Sequence, residues 1–313
     1  MGQESTSSVL QTEHLTKRYG DVVAVDDLSL AVQAGGVSGL LGPNGSGKTT
    51  IGMLLGLVQP SGGSGHLFDN AHSGVGRADL RRIGTIVESP TFYPNLSGWA
   101  TLRYFRAVGR HGDANEIAHL LKLVDLTDAA DRSYRTYSLG MKQRLGIAYA
   151  LLGDPDLVFL DEPTNGLDPA GVAEVRDLIR RLGAGGRTVI LSSHLLGEVQ
   201  QVCQRVAILS YGRLLVQGNV DDLLRTSGAV QLDSADNAAA ARILLDLPLV
   251  DRVRPDEKAL LVRIASDHAW ELTKALAQEG IYLTELSPVQ VSLERYFLEI
   301  TGERDHELRR EVA

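Results

Sequence analysis

Leu40-Leu41-Gly42-Pro43-Asn44-Gly45-Ser46-Gly47-Lys48-Thr49-Thr50 is the stretch around which the chain is organised. Gly42, Gly47, Lys48 and Thr49 fill the fixed positions of the phosphate-binding template G-x-x-x-x-G-K-[ST]. The flanks agree with it. Val37-Ser38-Gly39-Leu40-Leu41 reads as a short buried strand, and Thr50-Ile51-Gly52-Met53-Leu54-Leu55 as the start of a helix. Glycines let such a loop turn its N–H groups inward, making a concave anion site. The helix behind it adds the positive end of its dipole. Residues Gly42, Pro43, Asn44, Gly45, Ser46, Gly47 and Thr50 are thus expected to cradle phosphates. Lys48 would bridge the β- and γ-phosphates, and Thr49 would offer its hydroxyl to Mg²⁺. A glycine-rich surface loop with a chance lysine would need the strand, the helix and four fixed positions to coincide.

A phosphate loop needs a metal-side carboxylate and a group that directs water, and the chain supplies both downstream. Leu157-Val158-Phe159-Leu160-Asp161-Glu162 is an apolar strand ending in two acids. Asp161 is expected to hold Mg²⁺, and Glu162 to orient or deprotonate an attacking water. Thr188-Val189-Ile190-Leu191-Ser192-Ser193-His194 is a second buried strand, ending in a histidine. It lies where a parallel strand meets its loop, the edge at which open α/β sheets bind ligands, so His194 is expected to contact the γ-phosphate. Tyr137-Ser138-Leu139-Gly140-Met141-Lys142-Gln143-Arg144 opens a helix that runs to about Leu152. Tyr19 precedes a turn; it reads equally as a half-buried strand aromatic and as a flat platform for a nucleotide base.

Around these motifs the chain divides. Leu10 to Leu30 alternates apolar and polar residues in pieces, as an antiparallel sheet would. Gln59 to Gly65 is a turn cluster before His66-Leu67-Phe68 returns to strand. Ile83 to Val87 is another strand. From about residue 89 to 152 the spacing turns helical, with Ile117, Leu120, Leu121 and Val124 on one face, which predicts a helical insertion. Ala170 to Leu182 reads as a helix. Val206–Leu209 and Leu214–Val216 read as strands around Tyr211-Gly212. Residues 219–228 are expected to be a polar linker between a first domain, 9–218, and a second, 229–302. The second runs strand, helix, strand, strand, helix, strand, the order of a small ferredoxin-like α+β domain. Residues 1–8 read as a disordered lead-in and 303–313 as a charged tail.

Composition narrows the partners. The chain has 313 residues, 43% of them hydrophobic, and a net charge of -8 from 31 basic and 39 acidic residues. That balance speaks against nucleic acid, which asks for a basic face. Cys203, the only cysteine, rules out an intrachain disulfide and reads as a small core residue. A membrane span needs about 20 mostly apolar residues. The longest uncharged run, between Asp27 and Lys48, is broken by glycines, Pro43 and Asn44. Met1 to Gln11 lacks the basic-then-apolar pattern of a signal peptide. A cytoplasmic protein, held at a membrane only by a partner, is expected.

Taken in order, these motifs resemble the ATP-binding subunits of ABC transporters over about Val9 to Leu224. Tyr19 matches the aromatic that stacks on adenine and Gly42–Thr49 the Walker A loop. Glu88 falls at the Q-loop and Ser138–Met141 in the signature sequence. Leu157–Asp161 matches Walker B, with Glu162 as the catalytic glutamate after it. Asn165–Asp168 resembles the D-loop, and His194 the switch histidine. Lys48, Glu162 and His194 are the catalytic set this implies; Thr49, Glu88 and Asp161 are the metal side. Ser138, Gly140 and Asp168 join the nucleotide-binding residues.

Two departures stand out. Glu88 replaces the family's usual glutamine; a carboxylate there would strengthen the hold on Mg²⁺ and repel the γ-phosphate. The signature reads Tyr-Ser-Leu-Gly-Met, keeping Ser138 and Gly140, which would contact the γ-phosphate bound by another subunit. Glu-Ser-Pro at 88–90 and Tyr-Ser-Leu-Gly-Met-Lys-Gln-Arg at 137–144 look like the bacitracin, lantibiotic and daunorubicin exporter branch. The resemblance implies an ABC-type P-loop ATPase fold: a parallel core sheet, an antiparallel β subdomain and a helical insertion. It implies ATP and Mg²⁺, a homodimer or related second ATPase subunit, and an integral membrane permease on whose cytoplasmic face the protein sits. Transport of a lipid, polysaccharide or ion, a soluble ABC ATPase and a non-hydrolysing sensor are the alternatives. The C-terminal extension is expected to stabilise a dimer rather than to sense a ligand.

Overall fold

The computed structural model describes residues 8–42, 52–53, 56, 58–68, 77–87, 90–109, 115–226, 229–256, 259–264, 268–289, 292–298 and 300–301. Pro43 to Thr50, and Glu88, lie outside the described residues, so the expectations for Pro43, Asn44, Gly45, Ser46, Gly47, Lys48, Thr49, Thr50 and Glu88 meet no structure here. The chain divides into two compact units, one ending at Gln217 and one beginning at Gly218.

In the first unit β1 (Ser8–Tyr19) pairs antiparallel with β2 (Val22–Gln33). Ser8, expected in the lead-in, already belongs to β1, and its hydroxyl donates to the carbonyl of Leu10 at 2.8 Å. β3 (Gly36–Leu41) enters the central sheet. β4 (Gly62–Leu67) returns to pair with β1. Gly62 to Gly65, expected as a turn, are therefore strand. Local glycine content argued for a turn, whereas the ladder to β1 decides the outcome. Gly63 sits in the left-handed region at φ 79, at the irregularity between Glu13 and Thr16, where a Cβ would lie 2.2 Å from the His14 carbonyl.

The central sheet adds β5 (Ile83–Ile86), β6 (Leu157–Asp161), β7 (Thr188–Ser193), β8 (Arg205–Ser210) and β9 (Arg213–Asn219), in the order β5-β6-β7-β3-β8-β9. The pairs β5–β6, β6–β7, β7–β3 and β3–β8 are parallel. A parallel sheet buried on both faces calls for continuous apolar strands, and β6 and β7 are buried at every position. One face packs on the antiparallel sheet: Leu10, Val25, Leu28 and Leu30 share a core with Leu40, Leu157, Phe159 and Ile190.

The helical insertion holds α1 (Gly98–Gly109), α2 (Glu116–Leu123) and α3 (Leu139–Ala150). Aromatic rings bind it together: Phe105 and Tyr149 lie 4.8 Å apart, with Phe92 5.6 Å from each. Gly84 on β5 lets α3 dock, since a Cβ there would fall 1.7 Å from the Ala150 carbonyl. Two more helices follow, α4 (Pro169–Ala184) and α5 (Leu196–Val202).

The second unit opens with α6 (Val220–Thr226) rather than the expected linker. Asp221 and Asp222 in its first turn favour the positive end of the helix, and Val220 is buried. β10 (Ala229–Ser234), α7 (Asn237–Leu245), β11 (Arg252–Asp256), β12 (Ala259–Arg263), α8 (Ala269–Gln278) and β13 (Leu283–Val289) complete it. The sheet order β11-β12-β10-β13, antiparallel throughout, is the ferredoxin-like order. Val230, Leu232, Leu260 and Val262 face Ala240, Leu244, Leu272 and Leu276 in one core.

Candidate active site

Register gathers the site. Across the neighbouring strands β6, β7 and β3, Asp161 sits opposite Ser192, and Leu41 opposite Ser193. The residues that follow each strand, Glu162, His194 and Gly42, therefore leave the sheet at one carboxyl edge. That is the edge where open α/β sheets bind ligands. β7 lies between the strand carrying the acids and the strand leading into Pro43 to Thr50.

Asp161 is buried, and its Oδ1 accepts the hydroxyl of Ser192. Glu162 takes φ 48, a left-handed conformation that costs a non-glycine residue on the order of 1–3 kcal/mol. The sheet holds it there: its N–H donates to the Ser192 carbonyl at 3.1 Å and meets the Ser192 hydroxyl at 3.3 Å. Glu162 Oε1 lies 2.9 Å from His194 Nδ1, with the glutamate side chain 19% exposed and the histidine 44%. Glu162 Oε2 is buried with no hydrogen-bond partner among the described residues. A buried acceptor beside a surface-reaching imidazole suits a water molecule that must be oriented and deprotonated. With Glu162 ionised, the contact places a proton on His194 Nδ1, and Nε2 donates to a phosphate oxygen only in the imidazolium form.

Among the described residues no group of three or more His, Cys, Asp or Glu side chains could hold a metal. Mg²⁺ does not need one, because it binds through one or two carboxylates together with substrate phosphates and water. Asp161, a hard oxygen ligand held still at the strand tip, fits that demand.

The remaining expected residues separate into two kinds. Tyr19 ends β1 as a residue 52% exposed, with the Lys17 ammonium 4.9 Å from its ring centroid. The ring is therefore not packed into the core of the sheet. Ser138 is exposed and caps α3, its hydroxyl oxygen accepting the N–H of Met141 at 3.3 Å. That bond does not use the hydroxyl proton. Gly140 follows in the first turn. Asp168 is the cap of α4: its carboxylate accepts the Gly171 N–H at 3.0 Å, with Pro169 behind it. One oxygen of Asp168 thus caps the helix, a role that its position before a proline-started helix favours.

Three residues with a part in the site were not singled out from the sequence. Ser192 is one. The others are Thr164 and Glu198, joined by a 2.5 Å bond from the Thr164 hydroxyl to Glu198 Oε2. This bond ties the loop after Glu162 to the helix after His194. Only long-range pairing reveals it; the one local signal was a polar pair, Ser192-Ser193, closing an apolar strand.

Comparison with known proteins agrees with this geometry. The ABC transporter family model matches residues 25–165. The bacitracin transport ATP-binding protein of Bacillus licheniformis is 37% identical over 301 residues, covering 95% of this chain and 98% of its own. The daunorubicin resistance ATP-binding protein of Streptomyces coeruleorubidus is 35% identical over 300 residues, covering 92% and 94%. A solved component of an ABC transporter complex from Clostridium perfringens is 28% identical, with a TM-score of 0.62, covering 77% of this chain and 96% of its own.

Proposed function

The chain belongs to the ATP-binding proteins of ABC transporters, in the branch of the bacitracin and daunorubicin proteins, and from that premise we propose that it powers export of a drug, antibiotic or similar amphiphilic compound through a separate membrane subunit. The observation that carries this is the end-to-end match to those two proteins, which takes in the C-terminal unit as well as the ATPase unit. No described helix is long and apolar enough to cross a membrane; the family likeness is what supports a separate membrane subunit that would hold this chain at the membrane's inner face.

Hydrolysis of ATP follows from the edge of the sheet. Glu162 accepts a proton through Oε2 from a water that attacks the γ-phosphorus, and the bond to the bridging oxygen of ADP breaks. His194 stays tethered to Glu162 and donates to a γ-phosphate oxygen. Asp161, with Thr49 and Glu88, would hold Mg²⁺, which when bound would supply positive charge against the nucleotide phosphates. Tyr19 stacks on the adenine. Ser138 and Gly140 serve the phosphate of a second copy, so that two chains face head to tail and each closes the other's site. The exposed Ser138, its proton not used in capping, supports that assignment.

The test is expression with a membrane subunit in a drug-sensitive host. Resistance to a cyclic peptide antibiotic or an anthracycline, lost on Glu162→Gln, is the expected result. ATPase activity with no membrane protein in the purified complex would point instead to a soluble ABC ATPase.

A further inference from the structure

We propose that Ser192 is a positioning residue that sets the Asp161 carboxylate, and anchors the Glu162 main chain beside it, before nucleotide arrives. Its hydroxyl donates to Asp161 Oδ1, and the same oxygen lies 3.3 Å from the Glu162 N–H. One buried side chain therefore touches the carboxylate of Asp161 and the main chain of Glu162. The strand explains why a hydroxyl is needed. Interior strands of a parallel sheet are apolar, and β7 obeys this through Val189-Ile190-Leu191 and then departs from it at Ser192, directly opposite Asp161. Alanine would fill the position and leave every main-chain bond of the ladder in place, including the 3.1 Å bond from Glu162 N–H to the Ser192 carbonyl. What alanine removes is the donor on Asp161 and the second acceptor at the strained Glu162 peptide.

A carboxylate turns about its last torsion over a broad, roughly two-fold range. A donor fixed on one oxygen selects one orientation, so the cation meets a ligand already in place and need not order it. The consequence is specific: Ser192 governs the Mg²⁺-dependent part of nucleotide binding, while the grip of the phosphate loop and Tyr19 on nucleotide does not pass through it.

The inference rests on Asp161 acting on the metal side, and the experiment separates the two. Binding of a fluorescent ATP analogue is titrated against Mg²⁺ concentration, without turnover, for wild-type, Ser192→Ala, Ser192→Thr and Ser192→Cys proteins of matched melting temperature. Ser192→Ala is expected to raise the Mg²⁺ concentration for half-maximal enhancement about 10-fold, the scale of one hydrogen bond to a charged group, with Mg²⁺-free binding unchanged. Ser192→Thr is expected to stay within about 3-fold of wild type, since it keeps the hydroxyl, and Ser192→Cys, a weak donor, to fall between. If Ser192→Ala leaves the Mg²⁺ response at its wild-type value, or Ser192→Thr behaves as Ser192→Ala does, Ser192 is not a positioning residue. Wild-type binding that ignores Mg²⁺ would instead overturn the metal role of Asp161. Should Ser192→Ala not fold, the comparison of Ser192→Cys with Ser192→Thr decides the same question.

Discussion

Where β6 and β7 end, Asp161 and Glu162 stand beside a serine and a histidine, and Glu162 keeps a buried oxygen with no described partner. Where the same two strands begin, the acids are matched with arginines. Asp156 receives Arg82 at 2.6 Å and Asp154 pairs with Arg187, around a cavity of about 450 Å³. One sheet thus carries two acidic pairs with opposite treatment. At the starting edge each carboxylate is answered by a cation, and the cavity there is lined by charges already matched. At the finishing edge Asp161 accepts a serine hydroxyl and Glu162 meets a histidine that reaches solvent, and Glu162 keeps one buried oxygen with no partner among the described residues. The difference teaches that the number of charged groups does not mark this site; the acceptor capacity left over does.

Substitutions at the two edges should diverge accordingly. Glu162→Gln keeps the shape and removes the base; ATP turnover should fall about 10²–10⁴-fold, measured by phosphate release, while nucleotide still binds. A loss under about 3-fold would break the contrast. His194→Ala removes one hydrogen bond to a charged group and should lower turnover roughly 10- to 100-fold, with nucleotide affinity changed far less. Thr164→Val cuts the tie to Glu198 and should cost roughly 3- to 10-fold in rate; unchanged turnover would show that the loop after Glu162 holds its place without it. At the opposite edge, Arg187→Ala should leave turnover within about 2-fold and lower stability by no more than about 1 kcal/mol, read from denaturant midpoints, because the pair reaches solvent. The smallest effect is expected between the edges. Burial pushes the Cys203 thiol pKa up, and the thiolate is the reactive form, so a thiol reagent should label native protein far more slowly than unfolded protein.

Much of this contrast was legible in the sequence. The strands β6 and β7 announced themselves by apolar runs, Leu157-Val158-Phe159-Leu160 and Val189-Ile190-Leu191, and the acids and His194 could be placed because they follow those runs. The rhythm of the C-terminal unit gave its order for the same reason. What stayed hidden depends on partners far along the chain. Gly62 to Gly65 become a strand only because β1 offers a ladder, and residues 220–226 become a helix although their polar composition suggests a turn. Ser192 looks like any strand residue until the register sets it opposite Asp161. Asp168 sits in a family motif, and one of its carboxylate oxygens also caps α4, a bond that only the folded helix end reveals.

The proposed function has each chain close its partner's site over Glu162, and mixing two inactive variants tests that directly. Glu162→Gln lacks the base of its own site, and Ser138→Arg blocks the site of its partner. In a mixed pair, one site combines an intact Glu162 with an intact Ser138. The account predicts that each variant alone releases almost no phosphate and that mixing them restores release. A mixture as silent as its parents, with mixed pairs shown to form, would contradict it.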